Sequence, residues 1–301
     1  HLLNNKNHYV EIEKNVEEIY SKNILNSISK LAGLRYSSSL KRFYPYDNLT
    51  ANIVGFFNDQ EKNSSGIESY FNNILSGERG EVEHKVLDNK KIEFNKIDLA
   101  SGKNIGLTID LNLQSILVSE LKKGLKSSEA ESANGVIVDP YTGDILAMAS
   151  IPGFDPNKYH EANNIHYKNR AISDSYEPGS TYKIVALTAA IENKIISFED
   201  SIYCENGVYR LHNGHVLHDH EPHGNISVED IFVNSSNIGI MKMAEILGDN
   251  IIYDNSRKFG FGMASGIRLP GETPGKLRAL RQWSGISGRM VSIGQEIASS
   301  T

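Results

Sequence analysis

Apolar residues recur along this chain at two periods, and the change of period predicts its elements. Val10-Glu11-Ile12 reads as a short strand, and from Val16 to Leu31 the apolar positions Ile19, Ile24, Leu25, Ile28 and Leu31 fall at the spacing of an amphipathic helix. Residues 1–105 are otherwise polar, rich in Asn, Lys and Ser, with mixed periodicity. A polar, glycine-containing stretch, Gly102-Lys103-Asn104-Ile105-Gly106, reads as a linker, so two domains are expected, 1–105 and 106–301. Beyond it, Ile116 to Leu125 predicts a helix. Two dense apolar runs, Gly135 to Asp139 and Asp144 to Ala149, flank Pro140-Tyr141-Thr142-Gly143. That pattern predicts a β-hairpin, with Gly143 at the positive-φ position and Asp139 and Asp144 supporting the turn. After Pro178-Gly179, the residues Ile184, Val185, Leu187 and Ile191 predict a helix buried on at least one face. The expected architecture is α+β, a buried antiparallel sheet with helices packed on it.

Composition narrows the function classes. A chain of 301 residues can bury a large core, and a net charge of −6 with no dense basic stripe argues against a nucleic-acid partner. The single cysteine, Cys204, excludes an intrachain disulfide and reads as a small buried hydrophobe. No apolar run is long enough to cross a bilayer.

The candidate chemistry lies in two short motifs. Ser180 sits at or next to a helix N-terminus, where unpaired N–H groups favour developing negative charge, and Lys183 follows one turn later on the same face. A hydroxyl and an amine so placed make a nucleophile–base pair; the plain alternative is an N-cap serine and a solvated lysine. For Lys183 to act as a base it must be neutral, with its pKa drawn down by burial and nearby positive charge. The second motif, Ser235-Ser236-Asn237, stands between the apolar runs Asp230 to Val233 and Ile238 to Ala244. It predicts polar groups presented at a turn between packed helices, with Ser235 relaying a proton and Asn237 bonding a substrate amide. A helix cap is its alternative. The run His212, His215, His218, His220 and His223, with Asp219 and Glu221, is a rival metal signal, but its spacings fit no common zinc pattern. Gly214, Pro222 and Gly224 make an irregular loop the expectation, with no metal and no cofactor. Trp283 reads as a packing residue.

Ser-x-x-Lys followed by Ser-x-Asn resembles the penicillin-binding protein and serine β-lactamase superfamily. The flanks Asn169-Arg170-Ala171-Ile172, Tyr176-Glu177-Pro178-Gly179-Ser180, Gly260-Phe261-Gly262, Gly266 to Glu272 and Ser292-Ile293-Gly294-Gln295 resemble its class B branch, the peptidoglycan D,D-transpeptidases. The likeness implies an N-terminal pedestal, or dimerisation-like, domain ahead of a penicillin-binding transpeptidase domain. It further implies an acyl-enzyme on Ser180, with Lys183, Ser235 and Asn237 as the other catalytic residues. Implied partners are peptidoglycan stem peptides as D-Ala-D-Ala donor and amine acceptor, β-lactams, and membrane proteins of division or wall synthesis. The implied location is the bacterial cell membrane, with an anchor outside this sequence and the catalytic domain extracytoplasmic. The Tyr-Glu-Pro-Gly-Ser and Leu-Pro-Gly-Glu segments look more like the division-specific enzymes.

Four departures accompany the likeness. The second motif has Ser236 where many β-lactamases have Asp, and no Glu-x-x-Leu-Asn segment of the class A β-lactamase kind is found, which favours transfer to an amine over hydrolysis. Glu296 stands where the family usually has Gly. The family's third motif, Lys-Ser/Thr-Gly, is expected after Gln295 and is not found, so the sequence is expected to stop short of it and to acylate poorly by itself. A β-lactamase or β-lactam sensor of the same superfamily, or a non-catalytic interaction protein, are the competing readings.

Overall fold

Residues 41–58, 63–77, 82–87, 90–96, 101–211 and 214–301 are described by a computed structural model. The strand expected at Val10-Glu11-Ile12, the helix expected at 16–31 and His212 lie outside these residues. Phe43–Thr301 forms one compact unit.

The expected central helix forms over Leu111–Ser128. It starts where Asp110 accepts the free amides of Asn112 and Leu113 at 2.8 and 3.0 Å, and it ends at Glu129 in the left-handed conformation. One face packs on the predicted hairpin, Ala133–Val138 antiparallel to Ile145–Ile151. The turn is built as its residues predict: Gly143 has φ 77°, and Asp139 Oδ1 accepts the Tyr141 amide at 2.8 Å. Gln114, 1% exposed, joins helix to sheet. Its amide group exchanges two hydrogen bonds of 2.8 Å with the Met148 backbone and donates a third to Leu49 O. A buried amide satisfied on both sides fixes register as well as position.

The main core lies around the helices Lys183–Glu192 and Asn237–Leu247, with Val185, Ala186, Ile231, Ile238, Ile240 and Met241 fully enclosed. The Asp249–Lys258 helix closes over them, Asn255 Nδ2 donating to Val185 O at 2.7 Å. Cys204 is buried in this core, as its composition suggests. Mixed helices and antiparallel ladders, with helices packed on strands, make the α+β class expected from sequence. Among the described residues no helix is long and apolar enough to cross a membrane.

One element differs from expectation. The histidine-rich segment contains a hairpin, Val208–Arg210 paired with Val216–His218, where an irregular loop was expected. Leu217 opposite Tyr209 supplies the inward face, and Gly214 at φ 85° lies in the connection. Strands this short carry too few residues for a period to register.

Candidate active site

The segment before Ser180 is held from both sides. Asn169 is buried and bonds Asn52 O and the Ser150 hydroxyl, each at 3.3 Å, while Arg170 and Lys168 pair with Asp174 and hold its carboxyl below the usual range. Pro178 then starts a 3-10 turn, Gly179–Tyr182, which runs directly into the Lys183–Glu192 helix. Ser180 therefore occupies the second position of a helical start, where its N–H has no intrahelical acceptor. Its side chain is exposed. A second segment braces the turn: Gly179 N donates to Gly294 O at 3.1 Å, and Tyr176 exchanges two 3.0 Å backbone bonds with Ser299. The approach needs glycine at 294, since a Cβ there would lie 2.1 Å from Gly179 O at φ +79°. Gly294→Ala is expected to destabilise the protein by about 2–4 kcal/mol, from positive-φ strain plus overpacking, and to slow any reaction at Ser180. Chemical denaturation together with labelling of Ser180 checks both effects.

Lys183 is 1% exposed, although its helix starts beside an exposed serine. Burial lowers the pKa of its amine to about 8, against the opposing pull of the Asp219 carboxylate. Its Nζ donates to Ser235 O at 2.5 Å and to Ser235 Oγ at 2.9 Å. A substantial fraction of this amine is thus neutral near pH 8, in contact with a second hydroxyl. Ser180 Oγ has no hydrogen-bond partner among the described residues. Its tie to Lys183 is through the backbone, Lys183 N–H donating to Ser180 O.

Ser235 and Asn237 stand where the sequence expects them, at the turn between the helices Val228–Val233 and Asn237–Leu247. Ser235 is exposed with φ 55°, a strained left-handed conformation for a serine. That conformation brings its carbonyl and its hydroxyl to the same amine. Ser236 caps the second helix, its Oγ accepting the Gly239 amide at 2.9 Å, and a Cβ at Gly239 would sit 2.7 Å from Ile231. Asn237 Nδ2 donates to His218 O at 3.2 Å, tying it to the histidine hairpin.

The residue that sequence reasoning missed is Asp219. In the sequence it reads only as an oxygen ligand for a metal. Instead its Oδ2 accepts the Ser236 hydroxyl at 2.6 Å, and its Oδ1 accepts the Asn237 and Ile238 amides at 2.6 and 3.0 Å. A carboxylate on the first turn of a helix satisfies free N–H groups and complements the helix dipole. Nothing in local spacing signals it, because the partners are brought together by the 208–218 hairpin. Among the described residues no group of His, Cys, Asp or Glu is arranged to hold a metal ion. Trp283 packs edge-on to Tyr253 and donates from Nε1 to Arg278 O at 3.0 Å. The structure thus pairs Lys183 with Ser235 and Asn237 with Asp219, the Asp219 charge acting on the Lys183 amine, and Ser180 lies on the turn just before Lys183 in sequence.

An exposed serine stands at a helical start, a buried lysine follows one turn on, and a serine–asparagine turn lies against that lysine. The penicillin binding protein transpeptidase domain aligns with residues 134–301, and the penicillin-binding protein dimerisation domain with residues 3–107. The chain belongs to the penicillin-binding protein transpeptidase family, as a class B, FtsI-like member. It is 32% identical to the peptidoglycan D,D-transpeptidase FtsI of Escherichia coli over 268 residues, 88% of this chain and 45% of that protein. It is 31% identical to a probable peptidoglycan D,D-transpeptidase, PbpC, of Pseudomonas aeruginosa over 275 residues, 90% of this chain and 48% of that one. Penicillin binding protein 3 of Mycobacterium tuberculosis, solved in complex with ampicillin, superposes with a TM-score of 0.75 at 31% identity, covering 86% of this chain and 54% of that one. The chain spans about half the length of these curated relatives.

Proposed function

We propose that this chain is part of a serine D,D-transpeptidase that cross-links peptidoglycan stem peptides, and that the residues carrying the reaction are Ser180, Lys183, Ser235 and Asn237. The observation that supports this reading most strongly is the Lys183 amine, fully buried, held at Ser235 and brought to a pKa of about 8. An amine kept dry and only partly protonated is costly to build and suited to taking a proton.

In the proposed reaction, Ser180 Oγ attacks the penultimate D-Ala carbonyl while its proton passes to neutral Lys183. Ser235 relays a proton to the departing amine of the terminal D-Ala as the C–N bond breaks, leaving an ester on Ser180. The Ser180 N–H supports the developing oxyanion, and Asn237 bonds the donor peptide. An amine of a second stem peptide then attacks the ester, the C–O bond breaks, and the proton that this amine gives up passes through Lys183 to Ser180 Oγ. β-Lactams follow the first half of this route and stop at the ester. In the same reading residues 1–105 are the pedestal and 106–301 the transpeptidase domain. The whole protein is held at the cell membrane with this domain outside the cytoplasm, acting with division proteins at the septum.

Two assays on the full-length protein test the proposal. Incubation with a D-Ala-D-Ala-terminated stem-peptide donor and an amine acceptor is expected to release D-Ala and give the cross-linked amide, and Ser180→Ala is expected to lose both. A chromogenic cephalosporin is expected to give one stoichiometric burst followed by slow turnover. Fast steady-state hydrolysis would assign the site to a β-lactamase instead, and absence of any burst would remove the acyl-enzyme.

A further inference from the structure

Glu296 adopts the left-handed conformation that glycine favours, φ 58°. An L-residue held in that region is strained unless its surroundings hold it there. Here the side chain provides the hold. Glu296 Oε2 accepts from Arg278 Nη2 and, at 2.8 Å, from Ser287 Oγ, which is buried and itself accepts from Arg278 at 3.2 Å and from Ser284 N at 2.9 Å. Arg278 is fixed in turn, its carbonyl accepting the Trp283 indole, and neighbouring Lys276 exchanges backbone bonds with Ala298 at 2.7 and 2.9 Å. The other side of Glu296 faces the nucleophile turn, its backbone N–H donating to Glu177 Oε1 at 3.0 Å. Two residues earlier, Gly294 O receives the Gly179 amide.

We propose that the Arg278–Glu296–Ser287 cluster is a positioning device for Ser180. It locks the 294–296 turn in its left-handed form, and that turn sets the Gly179–Ser180 backbone through Gly294 and Glu177. None of the three touches Ser180, so the cluster acts through the turn and not on the reacting atoms. The inference rests on Ser180 being the nucleophile. Because a displacement of about 1 Å of a reacting group costs up to ~100-fold in rate, loosening this brace should appear in the acylation step rather than in reversible binding.

The test uses the full-length protein and a fluorescent penicillin, with the reversible dissociation constant and the first-order acylation rate constant resolved by stopped flow. Glu296→Gln and Arg278→Gln are each expected to lower the acylation rate constant about tenfold with the dissociation constant within about twofold of wild type. The double variant is expected to be no slower than the slower single one, because both remove one interaction. Arg278→Lys, which keeps the charge, is expected to recover part of the rate. An acylation constant for Glu296→Gln within twofold of wild type overturns the proposal. So does a parallel loss of binding, rate and folded fraction by thermal melt, which would mark a merely structural role. A wild-type adduct found on a residue other than Ser180 instead overturns the functional reading on which the proposal stands.

Discussion

Lys183→Met is expected to do two things at once: to lower acylation of Ser180 by about 10²–10⁴-fold and to make the protein more stable at pH 7. The first follows from removing the amine that lies against Ser235 and that the proposed reaction uses as its proton acceptor. The second follows from the sign of the pKa shift. The amine has a pKa of about 8 in the folded protein against 10.5 unexposed to burial, so below pH 8 it is charged in both states and folding must bury an ammonium. That penalty is on the order of 3 kcal/mol at about 1.4 kcal/mol per pH unit, and it disappears as pH rises from about 8 to about 10.5. Methionine fills the same space without the charge and forfeits the bonds to Ser235. The expected net gain is therefore about 1–3 kcal/mol, or a rise of several degrees in Tm for a protein of this size. Thermal melts at pH 7 and at about pH 10.5 check this, the difference between variant and wild type shrinking at the higher pH. A variant less stable than wild type at pH 7 would mean that the amine is not held at a cost, and the base assignment would lose its physical support.

Asp219 gives the second large effect, on the pH profile and on stability. Its charge raises the Lys183 pKa against burial, so Asp219→Asn is expected to move the midpoint of the acylation–pH profile below that of wild type. The asparagine keeps a carbonyl for the Asn237 and Ile238 amides but loses the charge-assisted bonds at 2.6 Å, a cost of about 1–2 kcal/mol. Asp219→Ala strands both amides and the Ser236 hydroxyl and is expected to cost about 3 kcal/mol or more. Urea denaturation of both variants beside the wild type reads the stability difference. A midpoint for Asp219→Asn at or above that of wild type would mean that the carboxylate does not govern the amine.

What the sequence made legible was set by local periodicity. The 133–151 hairpin, its Gly143 turn and the Leu111–Ser128 helix all follow from neighbours within a few residues. So do the helical start at Ser180 and the turn carrying Ser235 and Asn237. The arrangement that gives those residues their chemistry was not legible in the same way. Lys183 looks like any helical lysine until the core closes over it, and only burial lowers its pKa. The expected aid of a nearby positive charge is replaced among the described residues by an opposing carboxylate. Asp219 was hidden because its partners lie 17 to 19 positions away, beyond a short strand and a short helix. The brace on Gly179 was hidden for a stronger reason, since Tyr176 and Ser299 meet through backbone atoms that carry no side-chain signature. Glu296, by contrast, stood out in the sequence as a departure from the resemblance, and its φ of 58° is a conformation that glycine favours.

The most direct test is the rate of β-lactam acylation of the full-length protein from about pH 6 to about pH 10, with the adduct located by tandem mass spectrometry at each pH. The expected result is an ester on Ser180 whose rate constant rises with pH to a plateau, with its midpoint near 8 where Lys183 loses its proton. An adduct on another residue, or a rate that does not change across that range, would contradict it.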